Sequence, residues 1–172
     1  MTKKEFVEHV LPLKGKLFGY ASKLLHDHES ARDIVQDVMI KVWEESKPLT
    51  YYKNLEAWCV TMTRNKCLDK LKRKSNNHQR VEDRYDLANN DRQADEQIEH
   101  SDLLQHLRQL VMQLPLKQKE VLILRDYQGH SYQEIADILG VDIGQVKVTL
   151  FRARKLIKEK LLKVNSYGLQ AG

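Results

Sequence analysis

Apolar residues recur at helical spacing through most of the 172-residue chain, with one interruption near its middle. Positions i, i+3, i+4 and i+7 share one face of an α-helix, so each such stripe predicts a helix that buries that face. Phe6, Val10, Leu13, Leu17, Ala21 and Leu24 form the first stripe, with a bend expected near Pro12 or Gly15. Ile34, Val35, Val38, Val42 and Trp43 form the second, with Ser30 as its candidate N-cap and Pro48 as its stop. The polar loop SKPLTYYKN leads to a third stripe, where Leu55, Trp58, Cys59, Met62 and Leu71 lie on or near one face. From residue 75 to 94 the periodicity fails and Asn, Asp and Arg accumulate, which predicts a flexible linker. Stripes return at Ile98, Leu103, Leu107, Leu110, Val111 and Leu114. Pro115 stands near the start of the next helix, where its missing N–H costs little. These elements predict an all-α fold of two small helical domains, residues 1–74 and 95–172, joined by the linker 75–94.

The stretch SYQEIADILG begins with Ser131 and has Glu134 three residues on, the pattern of a capping box. Gly140 supplies the positive φ that ends this helix, and Asp142 caps the next, with Gln145 at its third position. Helix, three-residue turn and helix over about residues 131–157 make a helix-turn-helix. Val146, Leu150, Ala153 and Ile157 share the buried side of its second helix. Val148, Arg152 and Lys155 lie roughly opposite, with Gln145, Lys147 and Phe151 at the flanks. Cations in such positions neutralise phosphates, while Gln145 and Val148, near the N-terminal end, are placed to reach base edges. An outward Val suits a thymine methyl.

Charge supports this reading. The net formal charge of +5 is distributed unevenly: residues 1–74 carry 15 basic and 10 acidic side chains, residues 75–100 carry 3 and 7, and residues 101–172 carry 11 and 7. Two basic halves therefore flank an acidic middle, as expected if each half meets a polyanion. Cys59 and Cys67 lack metal or redox spacing and read as reduced, buried thiols of a cytoplasmic protein. No clustered carboxylates, phosphate-cradling Gly loop, nucleophile–His pairing or metal motif is found, so neither an enzyme nor a cofactor is expected. The longest aliphatic run, Val121 to Leu124, is too short to span a bilayer, and the N-terminus lacks a signal-peptide pattern.

DIVQDVMIKVWE (33–44) and LEAWCVTMTRNKCLDKLKRK (55–74) resemble region two of the extracytoplasmic-function (ECF) branch of the bacterial sigma-70 family. LPLKQKEVLILRDYQGHSYQEIADILGVDIGQVKVTLFRARKLI (114–157) resembles region four of the same family. The resemblance implies a non-catalytic subunit of RNA polymerase that supplies promoter recognition. Region two is then expected to bind the polymerase clamp and to melt the element near −10. Region four is expected to read the element near −35 while its other surface meets the polymerase flap.

Carried onto this chain, the resemblance places Asp33, Gln36 and Asp37 on the clamp-binding helix. It places Asn65 at a flipped non-template base, whose edge an amide serves as both donor and acceptor. The loop from Ser46 to Asn54 completes that pocket, with Tyr51 or Tyr52 stacking on a base. Arg64, Lys66, Lys70, Lys72, Arg73 and Lys74 are expected at phosphates of the exposed strand. In the recognition helix Gln145, Lys147, Val148, Thr149, Arg152 and Lys155 are the expected DNA contacts. Here the chain reads QVKVTL where many members read TVKSRL, so Val148 and Thr149 replace the common Ser and Arg. Family members are often held inactive by an anti-sigma protein that covers the clamp- or DNA-binding faces, which makes such a protein a further expected partner.

Two promoter elements two DNA turns apart are separated by roughly 70 Å, which the extended linker spans. The acids of residues 75–100 suggest a linker that passes a basic channel of the polymerase as a polyanion mimic. The alternative is a stand-alone helix-turn-helix regulator that binds operator DNA without polymerase. It accounts for the C-terminal half and not for the N-terminal motifs.

Overall fold

The computed structural model describes residues 1–80 and 101–168, with side chains except those of 77–80, 101–102 and 164–168. No strand occurs among the described residues. A short helix α1 (Lys3–Glu5), capped by Thr2, passes through a π turn (Phe6–Val10) and a 3-10 turn (Leu11–Leu13) into α2 (Lys14–Leu25). The change of helical type falls at Pro12, whose ring cannot continue a regular ladder.

Next come α3 (His28–Glu45), a 3-10 turn (Leu49–Tyr51) and α4 (Leu55–Arg80). α3 starts earlier than Ser30, the expected cap: Asp27 holds the N-cap, its Oδ1 accepting from the Ser30 N–H at 2.9 Å. Residues 75–80, expected to open the linker, continue α4 as helix, six residues past the expected domain end at 74. The rest of the expected linker, and the Ile98 position, lie outside the described residues.

α2, α3 and α4 pack on one another. Leu17, Tyr20, Ala21 and Leu24 face Ile34, Val35, Val38 and Val42, and α4 contributes Cys59, Val60, Thr63 and Cys67. Thr63 is fully buried because its hydroxyl donates to the Cys59 carbonyl at 2.9 Å. Burial pushes both thiols up to about 12, so the cysteines act as small apolar residues. Trp43, expected in the α3 core stripe, is instead 43% exposed and meets Phe6 edge-on, with ring centroids 5.3 Å apart.

The C-terminal unit comprises α5 (Ser101–Met112), α6 (Leu116–Leu122), a π turn (Ile123–Tyr127), α7 (Tyr132–Leu139) and α8 (Ile143–Gly168). Pro115 is the N-cap of α6. Val121 to Leu124, Ile135, Ala136, Ile138, Val146, Leu150 and Ala153 form its core. Along the expected α5 stripe, Leu110, Val111 and Leu114 are buried, whereas Leu103 is 60% exposed.

Candidate nucleic-acid interface

Local hydrogen bonding sets the angle at which α8 leaves α7. Ser131 accepts from the Glu134 N–H at 3.2 Å, and Glu134 accepts from the Ser131 N–H at 2.8 Å. Hydrogen bonding of the Glu134 carboxyl by the Ser131 backbone, and then by the Ser131 side chain, holds it below the usual carboxylate range. Gly140 then adopts φ 66°, and its N–H and that of Val141 both donate to the Ala136 carbonyl. Asp142 Oδ1 accepts from the Gln145 N–H at 2.8 Å, which starts α8. A β-carbon on Gly144 would come within 2.9 Å of that same Asp142 oxygen, so the glycine keeps the cap in place.

With Val146, Leu150 and Ala153 buried, α8 presents Gln145, Lys147, Val148, Arg152 and Lys155 to solvent, with Thr149 half-buried. Val148 is 48% and Phe151 67% exposed, so neither serves the core. Arg154 takes a different part: its Nε donates to Asp126 Oδ2 at 3.1 Å and its Nη2 to Asp126 Oδ1. This fork ties the middle of α8 to the π turn. The outward face thus joins cations to two apolar side chains, an arrangement suited to phosphates and base methyls in a major groove.

In the N-terminal unit, Tyr51 and Tyr52 meet edge-on at 5.3 Å, and Tyr52 lies against Trp58 at 4.8 Å. Lys47 stands 4.2 Å over the Tyr51 ring. Tyr51 is 60% exposed in the turn before α4. Asn65, Lys70, Lys72, Arg73 and Lys74 are exposed along α4. Asp33, Gln36 and Asp37 share the exposed face of α3.

Two of the α4 cations expected at phosphates are engaged within the chain, as is Lys155 of α8, whose Nζ lies 3.9 Å from Glu159 Oε1. Lys66 Nζ lies 2.9 Å from Asp37 Oδ2. Arg64 Nε lies 2.6 Å from Oε1 of Glu120, a residue of the C-terminal unit. Glu120 itself carried no expectation. A single acid before the run VLIL invites no notice, since partners 56 residues apart leave no periodic signal. His130, equally unforeseen, is buried at the start of α7 between Glu56 at 3.6 Å and Glu134 at 3.9 Å.

Comparison with known proteins supplies the family. Residues 9–77 match the family described as Sigma-70 region 2, and residues 104–157 match Sigma-70, region 4. Over 156 residues the chain is 27% identical to RNA polymerase sigma factor YlaC of Bacillus subtilis, spanning 86% of this chain and 87% of that protein. It is 30% identical over 139 residues to ECF RNA polymerase sigma factor SigM of Mycobacterium tuberculosis, spanning 80% of this chain and 67% of that protein. Among solved structures, the sigma factor RpoE in complex with the anti-sigma factor NepR from Bartonella quintana aligns with a TM-score of 0.73 at 30% identity. That alignment covers 94% of this chain and 98% of RpoE. With both regions matched in order and these levels of identity, the chain belongs to the extracytoplasmic-function group of the sigma-70 family of RNA polymerase sigma factors.

Proposed function

We propose that this chain binds core RNA polymerase in the cytoplasm and directs it to promoters, with no catalytic centre of its own. Residues 1 to 80 form the polymerase-binding and strand-opening unit, and residues 101 to 168 the upstream-reading unit, joined through the segment between them. The observation that carries the reading is the outward face of α8, where Gln145, Lys147, Val148, Arg152 and Lys155 are all exposed behind a capped, glycine-turned entry. Asp33, Gln36 and Asp37 bind the polymerase clamp. Asn65, Tyr51 and Tyr52 receive an unstacked base, with Arg64, Lys66, Lys70 and Arg73 on the strand's phosphates. Thr149 sits at the edge of the α8 contact. The polymerase flap takes the apolar groove between α5 and α8, lined by Leu104, Leu107, Val111, Ile157 and Leu162.

The likeness to RpoE, solved with NepR, supports an anti-sigma protein as a further partner. Among the described residues no helix is long and apolar enough to cross a membrane.

Reconstitution tests the reading. Purified chain and core polymerase on genomic DNA, with transcript starts sequenced, should yield a small set of starts sharing two upstream elements. Binding to duplex DNA without polymerase, and no starts with it, would overturn the proposal in favour of a stand-alone regulator.

A further inference from the structure

Where many members of the family carry Ser and Arg, this chain has Val148 and Thr149. Thr149 is half-buried, whereas Val148 stands outward, 48% exposed. A second valine accompanies it. Val141, in the turn before α8, is 38% exposed, and the two valines line one hollow together with Gln145, Thr149 and Arg152. Arg64 of α4 borders the same hollow, and both valines keep this exposure with it in place. An apolar notch is therefore built into the start of the reading helix.

The polar groups around the notch are restricted in what they can read. Asp142 Oδ1 accepts from the Gln145 N–H at 2.8 Å, and Gln145 Oε1 accepts in return from the Asp142 N–H at 3.4 Å. A backbone N–H only donates, so the oxygen end of the Gln145 amide faces the cap and Nε2 is left as a pure donor. Reading adenine with glutamine takes both ends of the amide, one for N6 and one for N7. Gln145 has only its donor end to give, and guanine, adenine and thymine all offer that donor an acceptor. The carboxylates at the edge of the hollow are committed as well, Asp142 to the cap and Glu120 to Arg64 at 2.6 Å. What remains to tell one base pair from another is the apolar surface, and the apolar group of the major groove is the thymine 5-methyl.

We infer that Val148 is the specificity-determining residue of the upstream contact, and that the base facing it is a thymine whose 5-methyl enters the notch beside Val141. A base that set an amine there would leave a polar group unpaired against two valines, so the notch rejects as well as selects. The place of α8 at a promoter rests on the function proposed above; the choice of base rests on the notch.

Promoter duplexes recovered by reconstitution with core polymerase serve as the probe, with deoxyuridine in place of each upstream thymine in turn. That exchange removes a single methyl and leaves the hydrogen-bonding edge intact. At one position it should weaken binding by wild-type holoenzyme about fourfold, as burial of one methyl implies. Holoenzyme carrying Val148→Ala should bind the thymine and uracil duplexes equally at that position, while Val148→Ile should keep the difference. Thermal midpoints and salt slopes equal to wild type should show that Val148→Ala has altered neither folding nor phosphate contact. An upstream element without thymine, a wild type indifferent to every methyl, or a Val148→Ala variant that keeps the full difference would overturn the inference and leave promoter binding standing. A holoenzyme that binds no promoter duplex would overturn the proposed function and this inference with it.

Discussion

Lys66 of α4 and Asp37 of α3 meet at 2.9 Å, so a residue proposed for promoter DNA is paired with one proposed for polymerase. Both side chains are partly exposed, at 34% and 61%, and such pairs contribute no more than about 1 kcal/mol to stability. Asp37→Asn should therefore leave the thermal midpoint nearly unchanged while weakening core-polymerase binding about tenfold. A drop in stability without a change in affinity would assign the pair a purely structural role.

Arg152 and Lys155 lie on the exposed side of α8 and are proposed to hold phosphates. Alanine at either should weaken promoter binding by holoenzyme across sequences and reduce the slope of log affinity against log salt by about one. A change confined to base preference would contradict the phosphate role.

Asn65 is exposed on α4, beyond the aromatic cluster of Tyr51, Tyr52 and Trp58. Asn65→Ala should slow promoter opening, read by permanganate reactivity of unpaired thymines, more than it weakens the closed complex. Equal loss at both stages would place Asn65 in a structural part.

The cap of α8 hangs on one carboxylate. Asp142→Ala should destabilise region 4 by about 1 kcal/mol in chemical denaturation. Gly144→Ala should act in the same direction, because its β-carbon would crowd the capping oxygen. No change in either variant would mean that packing alone positions the helix.

Burial holds His130 below its ordinary value, against the pull of Glu56 and Glu134 and aided by Lys16. The folded chain therefore binds this proton less readily than the unfolded one. Its contribution to stability is full above about pH 6.5 and is lost as pH falls toward the depressed value. Thermal midpoints measured from pH 7.5 to 5.5 should decline, and His130→Gln should flatten that decline. An identical slope in the variant would remove His130 as the source.

Features set by neighbours in sequence were legible from the residues alone. The capping box of Ser131 and Glu134, the positive φ of Gly140 and the Asp142 cap each involve partners within five residues, so spacing and residue type sufficed. Asp27 shows the limit of such local reading. Asp27 and Ser30 are both good caps, and the fold selected the carboxylate, leaving Ser30 to donate to it. The continuation of α4 through residues 75–80 had no apolar stripe to announce it. Trp43 matched the α3 stripe in spacing, yet it rests on Phe6 at the rim. Least legible was the contact of Arg64 with Glu120, because the chain holds many charges and pairing between halves follows no period.

The π turn at residues 123–127 fits one more residue into its span than a regular helix would. That surplus rotates everything after it, and two adjacent side chains come to serve different neighbours. Arg125 donates to the His130 carbonyl and lies over Tyr132, while Asp126 reaches across to Arg154. Trimming one residue here would restore a smoother helix and yet swing Asp126 about 100° away from α8. An irregularity in the backbone thus works as the keystone that fixes the reading helix to its support.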